Sequence, residues 1–172
     1  THHGFFDLAF MRSIPGIIVS APMNGSELRN MMYTAQLDRI KGPFAIRYPR
    51  GCSMVADWKK PFEETEPGKA RLLTGGSDIA VLSIGHPGNF VTEALKILSG
   101  DGISAEHYDM RFVSPIDTEV LHKVFGRFKK ILTVEDGFLK GGFGSAVIEF
   151  MCDNGYSAEV RRLGIPDYFV EQ

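Results

Sequence analysis

Apolar positions recur along the chain with two periods, and they mark out its elements. Phe5, Phe6, Leu8, Ala9, Phe10 and Met11 cluster as a short helix. Residues 17–21 form a β-branched run closed by Pro22, which reads as a strand. Asn24 with Glu27 three residues on makes a capping-box variant. Leu28, Met31, Met32 and Ala35 then follow at i, i+3, i+4 and i+7, one face of a helix. Residues 44–48 read as a second strand, stopped by Pro49. Between 51 and 76 the periodicity breaks. Gly51, Pro61, Pro67, Gly75 and Gly76, with Lys59-Lys60 and Glu63-Glu64, mark a linker with room for a short hairpin at a domain boundary.

A regular alternation follows. Residues 79–84 are a nearly all-apolar strand, and the next helix aligns Val91, Ala94, Leu95 and Leu98. A strand is expected over 103–110. Asp117 then caps a helix with Val120, Leu121, Val124, Phe125 and Phe128 inward. A strand over 130–134, a helix over 141–152 (Phe143, Ala146, Val147, Phe150, Met151) and a strand over 158–163 complete the chain. Strands alternating with helices predict βαβ units and a parallel sheet. A strand apolar on both faces needs cover on both sides. The second block is therefore expected to be a doubly wound α/β domain.

The 172 residues suffice for a hydrophobic core without a disulfide or metal. With 44% apolar and 23% charged residues and a mean hydropathy near zero, the chain has the composition of an ordinary globular protein. Its net charge of −2 gives no polybasic footprint, so neither nucleic acid nor a membrane is expected as a partner. Cys52 and Cys152 match no zinc or redox spacing, and such sparse usage fits a reducing compartment, the cytoplasm.

Several groups bear chemistry. His2 and His3 read either as a solvated tail or as placing one imidazole, beside Gly4, against an active site where it donates to an oxyanion or shuttles a proton. Arg47 and Arg50, in the run Arg47-Tyr48-Pro49-Arg50-Gly51, stand where a strand ends. Guanidinium forks there suit a phosphate or carboxylate, and surface ion pairs are the alternative. The glycines at 141, 142 and 144 could cradle a phosphate, but close helix–sheet packing is the simpler role, since the third dinucleotide-motif glycine is lacking. Glu135-Asp136 could hold a metal or act as acid and base, or cap the following turn. Asp109 and Arg111 are expected to form an internal pair, and His86 and His107 to be structural. From these residues alone the chemistry stops at an α/β protein with an arginine-rich strand end.

The wording of the chain goes further. T-H-H-G-F-F-D-L-A-F-M-R-S-I-P, A-P-M-N-G-S-E-L-R-N-M-M-Y-T-A, G-P-F-A-I-R-Y-P-R-G, Y-D-M-R-F-V-S-P-I-D, V-E-D-G-F-L-K-G-G-F-G-S-A-V and L-G-I-P-D-Y-F-V-E-Q run in order through it. Together they resemble the 1-deoxy-D-xylulose-5-phosphate synthases, thiamine-diphosphate enzymes related to transketolase. The resemblance implies a homodimer that uses thiamine diphosphate and Mg2+. It condenses pyruvate with D-glyceraldehyde 3-phosphate, releases CO2, and feeds isoprenoid, thiamine and pyridoxal synthesis.

On this resemblance, residues 1–54 are the later half of a pyrimidine-binding α/β domain, 55–76 a linker, and 77–172 a transketolase C-terminal domain lacking its last segment. His2 matches an active-site histidine near the thiazolium and substrate. Arg50 matches the arginine that binds the phosphate of glyceraldehyde 3-phosphate, and no role carries to His3. The family's Mg2+ motif, the glutamate that activates the aminopyrimidine, and an acidic residue before the T-H motif have no counterpart in these residues. The chain alone is thus expected to be inactive, with no cofactor or metal bound. Related transketolases, 2-oxoacid dehydrogenase β subunits and a non-catalytic assembly or effector-binding module are the alternatives.

Overall fold

A computed structural model describes residues 4–53 and 59–170. The first unit is short: α1 (Asp7–Met11), β1 (Ile18–Ser20), α2 (Gly25–Thr34) and β2 (Phe44–Ile46). Asn24 caps α2 as expected, its Oδ1 accepting from Glu27 N at 3.0 Å. The reciprocal bond differs from a capping box. The Glu27 carboxylate takes the N–H of Met23 (2.9 Å), one residue before the cap.

The second unit contains β3 (Arg71–Thr74), β4 (Ile79–Ser83), α3 (Pro87–Gly100), β5 (Ala105–Asp109), β6 (Phe112–Ser114), α4 (Thr118–Arg127), β7 (Lys130–Phe138), α5 (Phe143–Asp153) and β8 (Glu159–Ile165). Its sheet runs β3-β5-β4-β7-β8, parallel except for the antiparallel edge strand β3. From β4 the chain steps one way to β5, then back across to β7 and β8. Right-handed crossovers therefore put α3 on one face and α4 and α5 on the other, the doubly wound arrangement expected.

Three elements differ from expectation. β3 lies within residues read as linker and supplies the sheet's edge. It is only four residues long, too short for a periodic signal. β6 was not foreseen either. It turns away from its own sheet and pairs antiparallel with β1, Val19 opposite Ser114, making a three-stranded sheet β2-β1-β6. On α3, Val91 and Leu95 are half-buried, whereas Ala94 and Leu98 of the expected face are exposed.

One core joins the units: Leu8, Val19 and Ala21 pack in the same cluster as Leu82, Ile84, Met110 and Phe143. In open α/β sheets the crevice outside the carboxyl ends of the strands is the usual ligand position. Here the first unit fills it. Phe138 N, at the end of β7, donates to Phe5 O at 2.8 Å. At the end of β4, Gly85 takes a left-handed φ of +72°, and a Cβ on it would stand 3.1 Å from Ala21 Cβ. The turn after β4 therefore rests directly on the segment after β1.

Candidate functional site

Where these two turns meet, a cleft of about 250 Å³ opens. One wall is the start of α2, with Met23, Asn24 and Gly25. A second is the segment after β2, from Tyr48 to Ser53, and His86 of the second unit completes it. The two arginines of that segment separate. Arg47 turns inward: its guanidinium pairs with Asp136, donates to Asp136 O at 2.7 Å, and lies 3.3 Å from Asp7. Burial pushes the Asp7 carboxyl up, and Arg47 partly offsets this. Arg47 is thus a joint between the units rather than an anion ligand. Arg50 is exposed and lines the cleft.

The remaining candidates resolve into structure. Glu135 is buried, and its two oxygens accept from Phe143 N and Gly144 N, each at 2.8 Å, at the start of α5. Burial raises its pKa, and these amide bonds pull against the rise. The position a bound phosphate would need is therefore held by the protein's own carboxylate, which overturns the phosphate-cradle reading of the glycine loop. Gly142 is small for the same reason, since a Cβ there would lie 2.3 Å from Phe138 O and 2.4 Å from the Glu135 carboxylate. Glu135 and Asp136 part company, one to amides and the other to Arg47, so they form no acid–base pair.

Asp109 and Arg111 are internal, as expected, but within a larger network. Glu27 Oε1 receives Arg71 at 2.9 Å and Arg111 at 3.0 Å, while Asp109 lies 3.3 Å from Arg71. Asp109 is fully buried, and that burial, with Glu27 close by, drives its pKa well above the usual carboxylate range.

His107 is structural: fully buried, its Nε2 is 2.8 Å from Ser83 Oγ. Burial lowers its pKa from 6.5 to about 4. The unfolded chain thus takes up a proton near pH 6.5 that the folded chain refuses until about pH 4, so stability from this group is complete above 6.5 and is lost as pH falls. The loss between pH 7 and 4 is expected to be about 3 kcal/mol. Asp109 and Glu135 titrate with the opposite sign. The measurement is therefore the difference in urea midpoint between the native chain and His107→Asn across that range. A constant difference would show that His107 protonates freely in the fold.

His86 departs from its expected structural role by lining the cleft. Its position just after a parallel strand was the available signal. His2 and His3 lie outside the described residues. Among the described residues no three His, Cys, Asp or Glu side chains gather as metal ligands, and no helix is long and apolar enough to cross a membrane.

A family model for the transketolase pyrimidine binding domain matches residues 1–54, and one for the transketolase C-terminal domain matches 68–172. The 1-deoxy-D-xylulose-5-phosphate synthase of Cytophaga hutchinsonii is 63% identical over 171 residues, 99% of this chain and 27% of the relative. That of Bacteroides fragilis is 53% identical over 172 residues, 99% of this chain and 26% of the relative. The chain thus spans about a quarter of the length of these curated relatives. Among solved structures, a split gene transketolase, an inactive beta4 tetramer, is similar with a TM-score of 0.85 and 32% identity, covering 96% of this chain and 54% of that one. With residues 68–172 matched, more than half its length, the chain belongs to the transketolase C-terminal domain family.

Proposed function

We propose that this chain is part of a thiamine-diphosphate-dependent 1-deoxy-D-xylulose-5-phosphate synthase, condensing pyruvate with D-glyceraldehyde 3-phosphate and releasing CO2 in isoprenoid-precursor synthesis. The observation that carries the site assignment is the contrast between two arginines three residues apart. Arg47 is spent on Asp7 and Asp136, while Arg50 is exposed to a cleft. A guanidinium so placed can hold the acceptor's phosphate through paired N–H···O bonds. The names and high identity of the relatives support the reaction.

Thiamine diphosphate, when bound, supplies the carbon–carbon bond-forming chemistry. His2, outside the described residues, would orient substrate or carry a proton. The buried carboxylates Glu27, Asp109 and Glu135 are committed to arginines and backbone amides. They do not fit a magnesium ion, and no ligand to it is assigned among the described residues. A cytoplasmic homodimer completes the reading. The free, exposed Cys52 and Cys152 support the compartment, and a self-associated solved relative supports assembly.

The test is turnover by the full-length protein. With thiamine diphosphate present, pyruvate and D-glyceraldehyde 3-phosphate are expected to give CO2 and a phosphorylated five-carbon ketose in equal amounts. Transfer from a ketose-phosphate donor, with no use of pyruvate, would instead make it a transketolase.

A further inference from the structure

Among its described lining residues, the cleft that presents Arg50 takes one side chain from the second unit, His86, and several contacts set it there. His86 follows β4 and is the N-cap residue of α3, with Pro87 next in the first turn. Its imidazole makes no capping bond to the helix it precedes. Two contacts hold its backbone against the first unit. Gly85 lies on Ala21, as described above, and Asn89 Nδ2 donates both to Met23 O (2.7 Å) and to His86 O (2.9 Å). Asn89 thereby ties the first turn of α3 to the wall of the cleft. The His86 ring is braced edge-on by Phe90, with centroids 5.0 Å apart.

The surroundings favour an anion. α2 and α3 both begin at this cleft, through Asn24 and His86, so the positive ends of two helix dipoles lie along it. Among the described lining residues, the other charged or titratable groups are Arg50, Tyr48 and Cys52, all from the segment after β2. α2 contributes none. Among the described residues no carboxylate lines the cleft.

We propose that His86 is a second residue of the acceptor's phosphate site, facing Arg50 across the cleft and selecting for a phosphorylated acceptor. The proposal rests on the reading of this cleft as the place where the phosphate of glyceraldehyde 3-phosphate is held. Arg50 supplies a permanent charge. His86 supplies a ring N–H donor beside that charge. It also makes the site a joint product of both units, with the second unit touching substrate as well as supporting the first.

The test compares His86→Ala, His86→Gln and Arg50→Ala in the full-length enzyme, with D-glyceraldehyde 3-phosphate and unphosphorylated D-glyceraldehyde as acceptors. His86→Ala is expected to raise KM for the phosphorylated acceptor about tenfold, the loss of one charge-assisted hydrogen bond. KM for glyceraldehyde should not change. His86→Gln, which keeps an N–H donor, should fall between the native enzyme and His86→Ala. If Arg50→Ala raises KM for the phosphorylated acceptor alone while both His86 variants behave as native, the inference fails and the reading of the cleft stands. If Arg50→Ala also fails to separate the two acceptors, the cleft is not the phosphate site and both fall. Equal rises for both acceptors in the His86 variants would give His86 a purely structural role, again overturning the inference.

Discussion

Arg50→Ala in the full-length enzyme is expected to raise KM for D-glyceraldehyde 3-phosphate about 10- to 100-fold, the range for removing charge-assisted bonds to a phosphate. KM for pyruvate should be nearly unchanged. Arg50 is exposed and lies outside the ion pairs that Arg47 makes with Asp7 and Asp136, so its removal leaves the joint between the units intact. Arg50→Lys keeps the charge but loses the paired geometry and is expected to recover only part of the affinity. Steady-state kinetics with each substrate varied in turn decides the matter. A parallel rise in both KM values would mean that Arg50 shapes the fold around the cleft rather than holding phosphate.

The second large effect concerns Glu27. This buried carboxylate accepts the N–H of Met23 and receives both Arg71 and Arg111. Glu27→Ala removes all three contacts and leaves Arg71 and Arg111 with Asp109, which burial holds toward its protonated form. Breaking a buried pair from one side costs about 3–5 kcal/mol. Arg71 is partly exposed, so water compensates some of this loss, and the lower end of that range is expected. The readout is the urea midpoint of the native chain against Glu27→Ala. Glu27→Gln, which keeps an oxygen toward Met23 N, should lose less. A loss below about 1 kcal/mol for the alanine variant would place Glu27 among weak surface pairs.

Much of the fold was legible because its signals are local. Asn24 and Asp117 each cap the helix they precede, and the apolar run at 79–84 announces a strand covered on both faces. The parts that were not legible depend on distant partners. β3 and β6 are too short to carry a period, and β6 makes sense only beside β1. The same holds for the site. Arg50 stood out with its strand end, but Arg47 looked equivalent until Asp7 and Asp136 were seen to claim it. His86 looked structural because the segment it faces lies more than thirty residues earlier in the chain. The glycine loop misled for a related reason: its helix start suits an anion, and the anion turned out to be Glu135.

β6 also bears on how freely such chains recombine. By chain order it belongs to the second unit, and by hydrogen bonding to the first. Ala21 N donates to Arg111 O at 2.8 Å, Ser114 Oγ reaches Ile17 O at 3.1 Å, and Phe112 is wholly buried, edge-on to Phe44. A foreign second unit joined to residues 4–53 would have to bring a matching strand in the same register, with an aromatic ring for Phe44. Without one, β1 would keep a bare edge open to other strands. The two units are therefore not interchangeable modules: shuffling one without the other trades a sheet edge along with a domain.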